Sequence, residues 1–237
     1  MKNSQLQAVV ARCVVMLAGM FCIGAGIALA KRSGIGTSPI SCIPAVLSNW
    51  LPSVGVTWIS LGVLTFSMNF VFLLIEIALL RRCFPPIQLT QLLALFVMSW
   101  SIDLWGGLFA AIPVDAYLQQ LACVVVSVAV MALGVYLEVY ADVLMVPAEA
   151  VVKVISYVGE LPFGRVKVAF DSTLIALAAA LSLLLLGGLY GVREGSLLSA
   201  LLVGNVVPLW RRALDPLLGR LVPVEGGRLV TPVVPTE

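Results

Sequence analysis

Few side chains in this 237-residue chain are ionisable, and those set in apolar surroundings are the first candidates for chemistry. Asp103 lies between Trp100 and Trp105, close to Ser99 and Ser101. A carboxylate at bilayer depth costs about 2.5–3.5 kcal/mol on insertion scales, so it has to face protein or water and find a partner. It is either a structural hydrogen-bond acceptor, a water-exposed group near an outer mouth, or a solute ligand. Lys167 and Asp171 stand one helical turn apart, which suits a structural ion pair or part of a solute or proton path. Glu138 and Asp142 share the same spacing, and like charges so placed repel unless a cation, a proton or a base such as Arg165 relieves them. Glu149 and Lys153 read as an i,i+4 surface pair, and Glu76, about a turn from Arg81, as a side chain that snorkels to the interface.

A second candidate is made of backbone. Thr37-Ser38-Pro39 has the form of a helix start, with a hydroxyl N-cap and proline at the first helical position. Gly34 and Gly36 before it allow a tight turn and close backbone approach. Such a terminus either directs bare N–H groups at an anionic or strongly polar group, or is the ordinary cap of a helix lying flat at the interface.

Other chemistries are excluded by what is missing. The chain has no histidine, which removes His metal sites, His general bases and Ser-His triads together. No GxSxG, HExxH or phosphate-cradling glycine loop is present, so an enzyme is not expected and no cofactor or metal is implied. The cysteines (Cys13, Cys22, Cys42, Cys83, Cys123) lack CxxC spacing and read as small buried hydrophobes. A net charge of +2 leaves no footprint for nucleic acid.

These residues are positioned by apolar helices. Only 11% of residues are charged, 61% are hydrophobic and the mean hydropathy is +1.11, so the chain cannot cover a water-facing surface. A span needs about 20 mostly apolar residues. Six stretches meet or approach that: 9–30, 54–80, 89–109, 117–141, 166–186 and a shorter 195–210. Two apolar pieces, 39–50 and 147–158, are too short to cross and suit re-entrant or interfacial helices. The fold class is therefore all-α, a polytopic membrane protein. Lys2 and Arg12 ahead of a run ending in Ala28-Leu29-Ala30 resemble a signal peptide, but the run is long for one and the repeat below needs it in the mature chain.

Six spans with the N-terminus inside leave Lys2, Arg12, Arg81, Arg82, Lys153, Arg165, Lys167, Arg211, Arg212, Arg220 and Arg228 on the cytoplasmic side. Only Lys31, Arg32 and Arg193 fall outside, which places both termini in the cytoplasm. Residues 211–237, rich in Arg, Pro and Gly, read as a mostly disordered cytosolic tail.

The chain also matches itself. At an offset of 108, GIALAKRSGIGTSP (26–39) aligns without a gap on GVYLEVYADVLMVP (134–147), and Ser48 meets Ser156. At an offset of 105, Leu92-Leu93 meets Leu197-Leu198 and Trp105 meets Trp210. This divides the chain into repeats 1–111 and 112–210, each a span, a short helix and two spans. An odd number of spans per unit inverts the second copy, the common build of secondary transporters with a midplane site.

Three segments, GIGTSP (34–39), GRVKVAFD (164–171) and GVREGSLLSALLVG (191–204), resemble those of the YitT/YczE group of bacterial integral membrane proteins, on the YczE side. The resemblance spans about residues 10–210. It implies a polytopic inner-membrane protein of transporter type, brings no catalytic residue set and leaves the substrate open.

The function expected is a secondary transporter or exporter of a small polar or anionic solute, working with a proton or cation. The candidate solute-binding residues are Gly34, Gly36, Thr37, Ser38, Asp103, Glu138, Asp142, Lys167 and Asp171. The alternative is a non-transporting membrane accessory that stabilises or localises a partner, with the basic tail as its contact. The bilayer, the solute and a second copy of the chain are the partners in view.

Overall fold

The computed structural model describes residues 2–81, 84 and 86–221, and every regular element among them is helical. In order these are α1 (Lys2–Ser33), α2 (Pro39–Trp50), α3 (Leu61–Leu80), α4 (Gln91–Phe109), α5 (Tyr117–Ala141), α6 (Pro147–Val158), α7 (Phe163–Leu186) and α8 (Glu194–Leu221). Short 3-10 turns at Leu51–Val54 and Pro86–Thr90 lead toward α3 and α4. Among the described residues, six segments are long and apolar enough to cross a membrane: Val9–Ser33, Leu61–Leu80, Gln88–Phe109, Tyr117–Ala141, Phe163–Leu186 and Glu194–Gly219. The chain is a multi-pass membrane protein. Helices are the form such segments must take, because hydrocarbon offers the backbone no hydrogen-bond partner. Large apolar side chains point outward, Leu184 at 81% exposure and Leu118 at 75%, a surface suited to lipid and not to water.

The two short helices have the predicted bounds, each with proline at the first turn. Two span ends differ by more than three residues from the sequence reading. The second span starts at Leu61, not 54, because Gly55 takes a left-handed turn (φ +81) and Ser60 caps α3, its Oγ accepting from Val63 N at 3.1 Å. The sixth does not stop at Trp210. Trp210 Nε1 donates to Ala129 O (2.9 Å) and Tyr136 OH to Asp215 (2.8 Å), which holds the segment on α5 as it continues to Leu221. Pro208 and Pro216 sit within this helix, as prolines do in membrane helices whose freed backbone groups find other partners. Residues 211–221 are thus helix, and the rest of the expected tail, with Arg228, lies outside the described residues, as do Arg82 and Cys83.

At the centre α1 crosses α5. α1 also packs on α4 and α5 on α8; α2 packs on α7 and α6 on α3; α2 touches α3 and α6 touches α7; and α3 packs on α4. The α1–α5 crossing is close because its contact residues are small. A β-carbon on Gly26 would lie 3.0 Å from Ser127 O and 2.9 Å from Met131 Cγ, so nothing larger than hydrogen fits. Met16, Met20, Ile23 and Ile27 of α1 join Leu95, Met98 and Ile102 of α4 and Met131 of α5 in the main apolar core.

Candidate functional site

Between these helices lies a cavity of about 310 Å³, at the low end of the usual range for small-molecule sites, about 300–1,000 Å³. All eight helices line it, α4 through Met98. α2 brings its N-terminus, with Ser38 and Ser41; α6 brings its own, with Val146 and Glu149. α3 supplies Thr65 and Asn69, α7 supplies Lys167 and Asp171, α5 Glu138 and α8 Ser199. Ile23, Ile27, Met131 and Val135 from the central pair complete the apolar wall.

The ionisable groups of this cavity are closely engaged. Lys167 Nζ donates to Asp171 Oδ1 at 3.0 Å, the i,i+4 pair legible in the sequence, with both side chains partly open to the cavity. Glu138 Oε1 accepts from Val146 N at 3.0 Å. The α6 N-cap residue therefore takes its carboxylate from another helix, the sign of charge a helix N-terminus favours. Glu149 faces the same space, close enough for its charge to act on Glu138. Burial raises the Glu149 carboxyl from its ordinary value; Lys167 opposes the rise and Asp171 adds to it.

Among the described residues, three buried polar atoms here have no protein partner: Thr65 Oγ1, Asn69 Oδ1 and Ser199 Oγ. The amide of Asn69 is oriented by its Nδ2 donating to Thr65 O (2.9 Å), which leaves Oδ1 as an unused acceptor. Native proteins rarely leave such groups unmatched, and several at one cavity mark a place where a solute or water completes them.

Of the residues predicted from sequence, Ser38, Glu138, Lys167 and Asp171 meet in this cavity. The others do not. Asp103 lies in a different hollow with Lys31, Arg32 and Gly34, and both its oxygens are engaged at the start of α3. Oδ1 accepts from Gly62 N (2.8 Å) and Oδ2 from Ser60 Oγ (2.6 Å). Asp142 caps the C-terminus of α5 in a left-handed conformation (φ +47). The base beside it is Arg12, at 4.0 Å, whose Nε also donates to Ala141 O; Arg165 was the expectation.

The 34–39 turn is committed to α8. Thr37 N donates to Ser196 Oγ (3.1 Å), Gly195 N donates to Ile35 O (2.8 Å), and a β-carbon on Gly36 would sit 2.5 Å from Ser196 Oγ. Ser38 occupies the N-cap position, but its hydroxyl donates to Ser41 Oγ (3.2 Å) instead of accepting from the helix backbone. Cys42 packs behind, its thiol donating to Thr37 O, and burial pushes that thiol up to about 11. Cys42 is fully buried, whereas Cys13, Cys22 and Cys123, read as buried, are half-buried free thiols.

Sequence reasoning missed Ser41, Thr65, Asn69, Glu149 and Ser199. Glu149 turns to the cavity and not to a surface, and Glu76 is wholly buried beside Gln91 instead of snorkelling outward. A signal for several of them was present. Thr65 and Asn69 stand 102 positions before Lys167 and Asp171, and Ser41 stands 108 before Glu149. The neutral polar residues of the first half thus precede the charged ones of the second at close to the repeat offset.

Residues 10–212 match a family of unknown function, DUF6198. The chain belongs to that family. No curated protein and no solved structure matches it. The match takes in the whole cavity and reaches into all six spans, ending within the sixth, so the site belongs to the family's own core and not to an appended segment.

Proposed function

We propose that this member of DUF6198 is a secondary transporter of the bacterial inner membrane, moving a small polar solute through the cavity between α2, α3, α6 and α7. The observation that carries this reading is the cavity itself. It joins the N-termini of both short helices, an ion pair, two further carboxylates and three unpartnered buried polar atoms inside a membrane protein.

The build we propose is two inverted three-span repeats with the short helices entering from opposite faces and both termini in the cytoplasm. Exchange of α1 with α5, α2 with α6, α3 with α7 and α4 with α8 supports it. That exchange turns the α1–α4 contact into α5–α8, α2–α7 into α6–α3, and α2–α3 into α6–α7. The α3–α4 contact has no equally close α7–α8 counterpart. The glycine contacts follow the same exchange. Gly26 lies against Ser127 and Met131, Gly134 against Gly19 and Ile23, and each residue of the first set is 108 from its counterpart in the second. The Lys/Arg bias supports the orientation, and the resemblance to the YitT/YczE group supports the inner membrane.

The test is flux. Purified protein in proteoliposomes with an internal pH dye is exposed to small amines, amino acids and carboxylic acids. Solute-dependent proton movement that Asp171→Asn abolishes supports transport. A wild-type protein that moves none of them, and that is recovered from native membrane tightly bound to a second membrane protein, supports the accessory role instead.

A further inference from the structure

The cavity is unevenly furnished. Among the described residues, all its ionisable groups come from α5, α6 and α7: Glu138, Glu149, Lys167 and Asp171. The lining residues from α1, α2, α3, α4 and α8 contribute none that titrates. Lys167 is taken by Asp171 at 3.0 Å, so that pair is internally neutral. Glu138 and Glu149 are left, and one backbone N–H at 3.0 Å from Glu138 is a dipole and not a counter-charge. Lys153, one turn on from Glu149, lies outside the lining. Two carboxylates facing one mostly apolar cavity cannot both stay ionised unless something positive stands between them.

From this imbalance we infer that the solute carries a positive charge, an ammonium or guanidinium group, seated against Glu138 and Glu149. Its uncharged part lies against Thr65, Asn69 and Ser199. The inference rests on the transport reading of the same cavity and names the substrate class. The neutral half suits it: Asn69 Oδ1 is an unused acceptor, ready for an N–H, and the hydroxyls of Thr65 and Ser199 can donate or accept. An anionic solute, also open from the sequence, would face three carboxylates with one ammonium already occupied. In the solute-free state a proton shared by Glu138 and Glu149 takes the place of the cation. Binding then releases that proton, one positive charge leaving as one arrives, which is the stoichiometry an exchanger needs.

The test uses the wild-type full chain in lipid nanodiscs. Dicyclohexylcarbodiimide adds to protonated buried carboxyls, and peptide mass mapping reads its adducts on Glu138 and Glu149. Three probes of equal chain length but different charge, n-butylammonium, n-butanol and butyrate, compete at millimolar concentration. Butylammonium is expected to slow labelling of Glu138 and Glu149 about tenfold, a difference of about 1.4 kcal/mol. The alcohol and the carboxylate should leave it unchanged. Glu76, fully buried and outside the cavity, is the internal control whose labelling no probe should alter. Protection by butyrate, equal protection by all three, or none by butylammonium overturns the cation assignment. Selective protection by butylammonium without solute flux in proteoliposomes upholds the cation site and overturns transport. The comparison needs no variant, so misfolding cannot obscure it; Glu149→Gln adds a second arm, in which selective protection should vanish.

Discussion

Gly19 and Gly134 meet backbone to backbone where α1 crosses α5: a β-carbon on Gly19 would lie 2.8 Å from Gly134 O, and one on Gly134 would lie 2.6 Å from Gly19 O. No side chain intervenes, so the crossing cannot absorb a methyl group by rotamer change. Gly134→Ala is therefore expected to cost about 1–3 kcal/mol as overpacking and to lower the thermal unfolding midpoint in detergent. Gly107→Ala, with open space around it, should leave that midpoint in place. Equal midpoints for both variants would mean that the crossing is loose enough to accept a methyl group.

Asp103 holds the start of α3 through Gly62 N and Ser60 Oγ. Asp103→Asn should cost about 1 kcal/mol, as the loss of a charged cap does, and leave binding in the central cavity unchanged. Scanning calorimetry checks the first and probe protection at Glu149 the second. A lost cavity site with unchanged stability would return Asp103 to the list of solute ligands.

Lys167 and Asp171 should respond unequally. Lys167→Met leaves three carboxylates around one cavity, whereas Asp171→Asn leaves Lys167 with Glu149 nearby. Removing one member of a fully buried pair costs about 3–5 kcal/mol. Partial exposure to the cavity brings both below that, with Lys167→Met the larger loss. Chemical denaturation of the two variants gives the order, and the reverse order would place the stabilising charge elsewhere.

The 34–39 turn separates two effects. Gly36 has φ +129 and packs on Ser196, so Gly36→Ala combines backbone strain of about 1–3 kcal/mol with a clash, and loss of folded protein is expected. Ser38→Ala removes no helix cap, and its midpoint should stay within about 0.5 kcal/mol of wild type, as at an ordinary permissive position. Size-exclusion recovery and melting curves distinguish the pair.

Single cysteines at Ser53 and Leu161, both exposed beyond the ends of α2 and α6, test the inversion in a cysteine-free background. Impermeant maleimide should reach them from opposite sides of the membrane. Labelling from one side would remove the inverted repeat.

The spans were legible because a crossing helix must be apolar for its whole length, and α5 was predicted residue for residue. So were both short helices, since proline at the first turn marks a start that nothing downstream can shift. What was not legible depends on how helices rotate against one another. Asp142 finds Arg12 across 130 positions, Glu149 turns inward and Glu76 is covered, none of which one helix's composition determines. The end of α8 was hidden for the same reason, its continuation being secured by Tyr136 and Ala129 of another helix.

If the proposed build of two repeats holds, the one-sided charge of the cavity has a consequence for ancestry. A symmetric dimer of identical halves would have to repeat Glu149, Lys167 and Asp171 at the places now held by Ser41, Thr65 and Asn69. That would crowd the membrane interior with a second set of ions. Joining two halves in one polypeptide lets one keep the ions while the other becomes neutral. On this view the covalent link does more than hold two copies together: it permits a division of labour that a pair of identical subunits cannot reach.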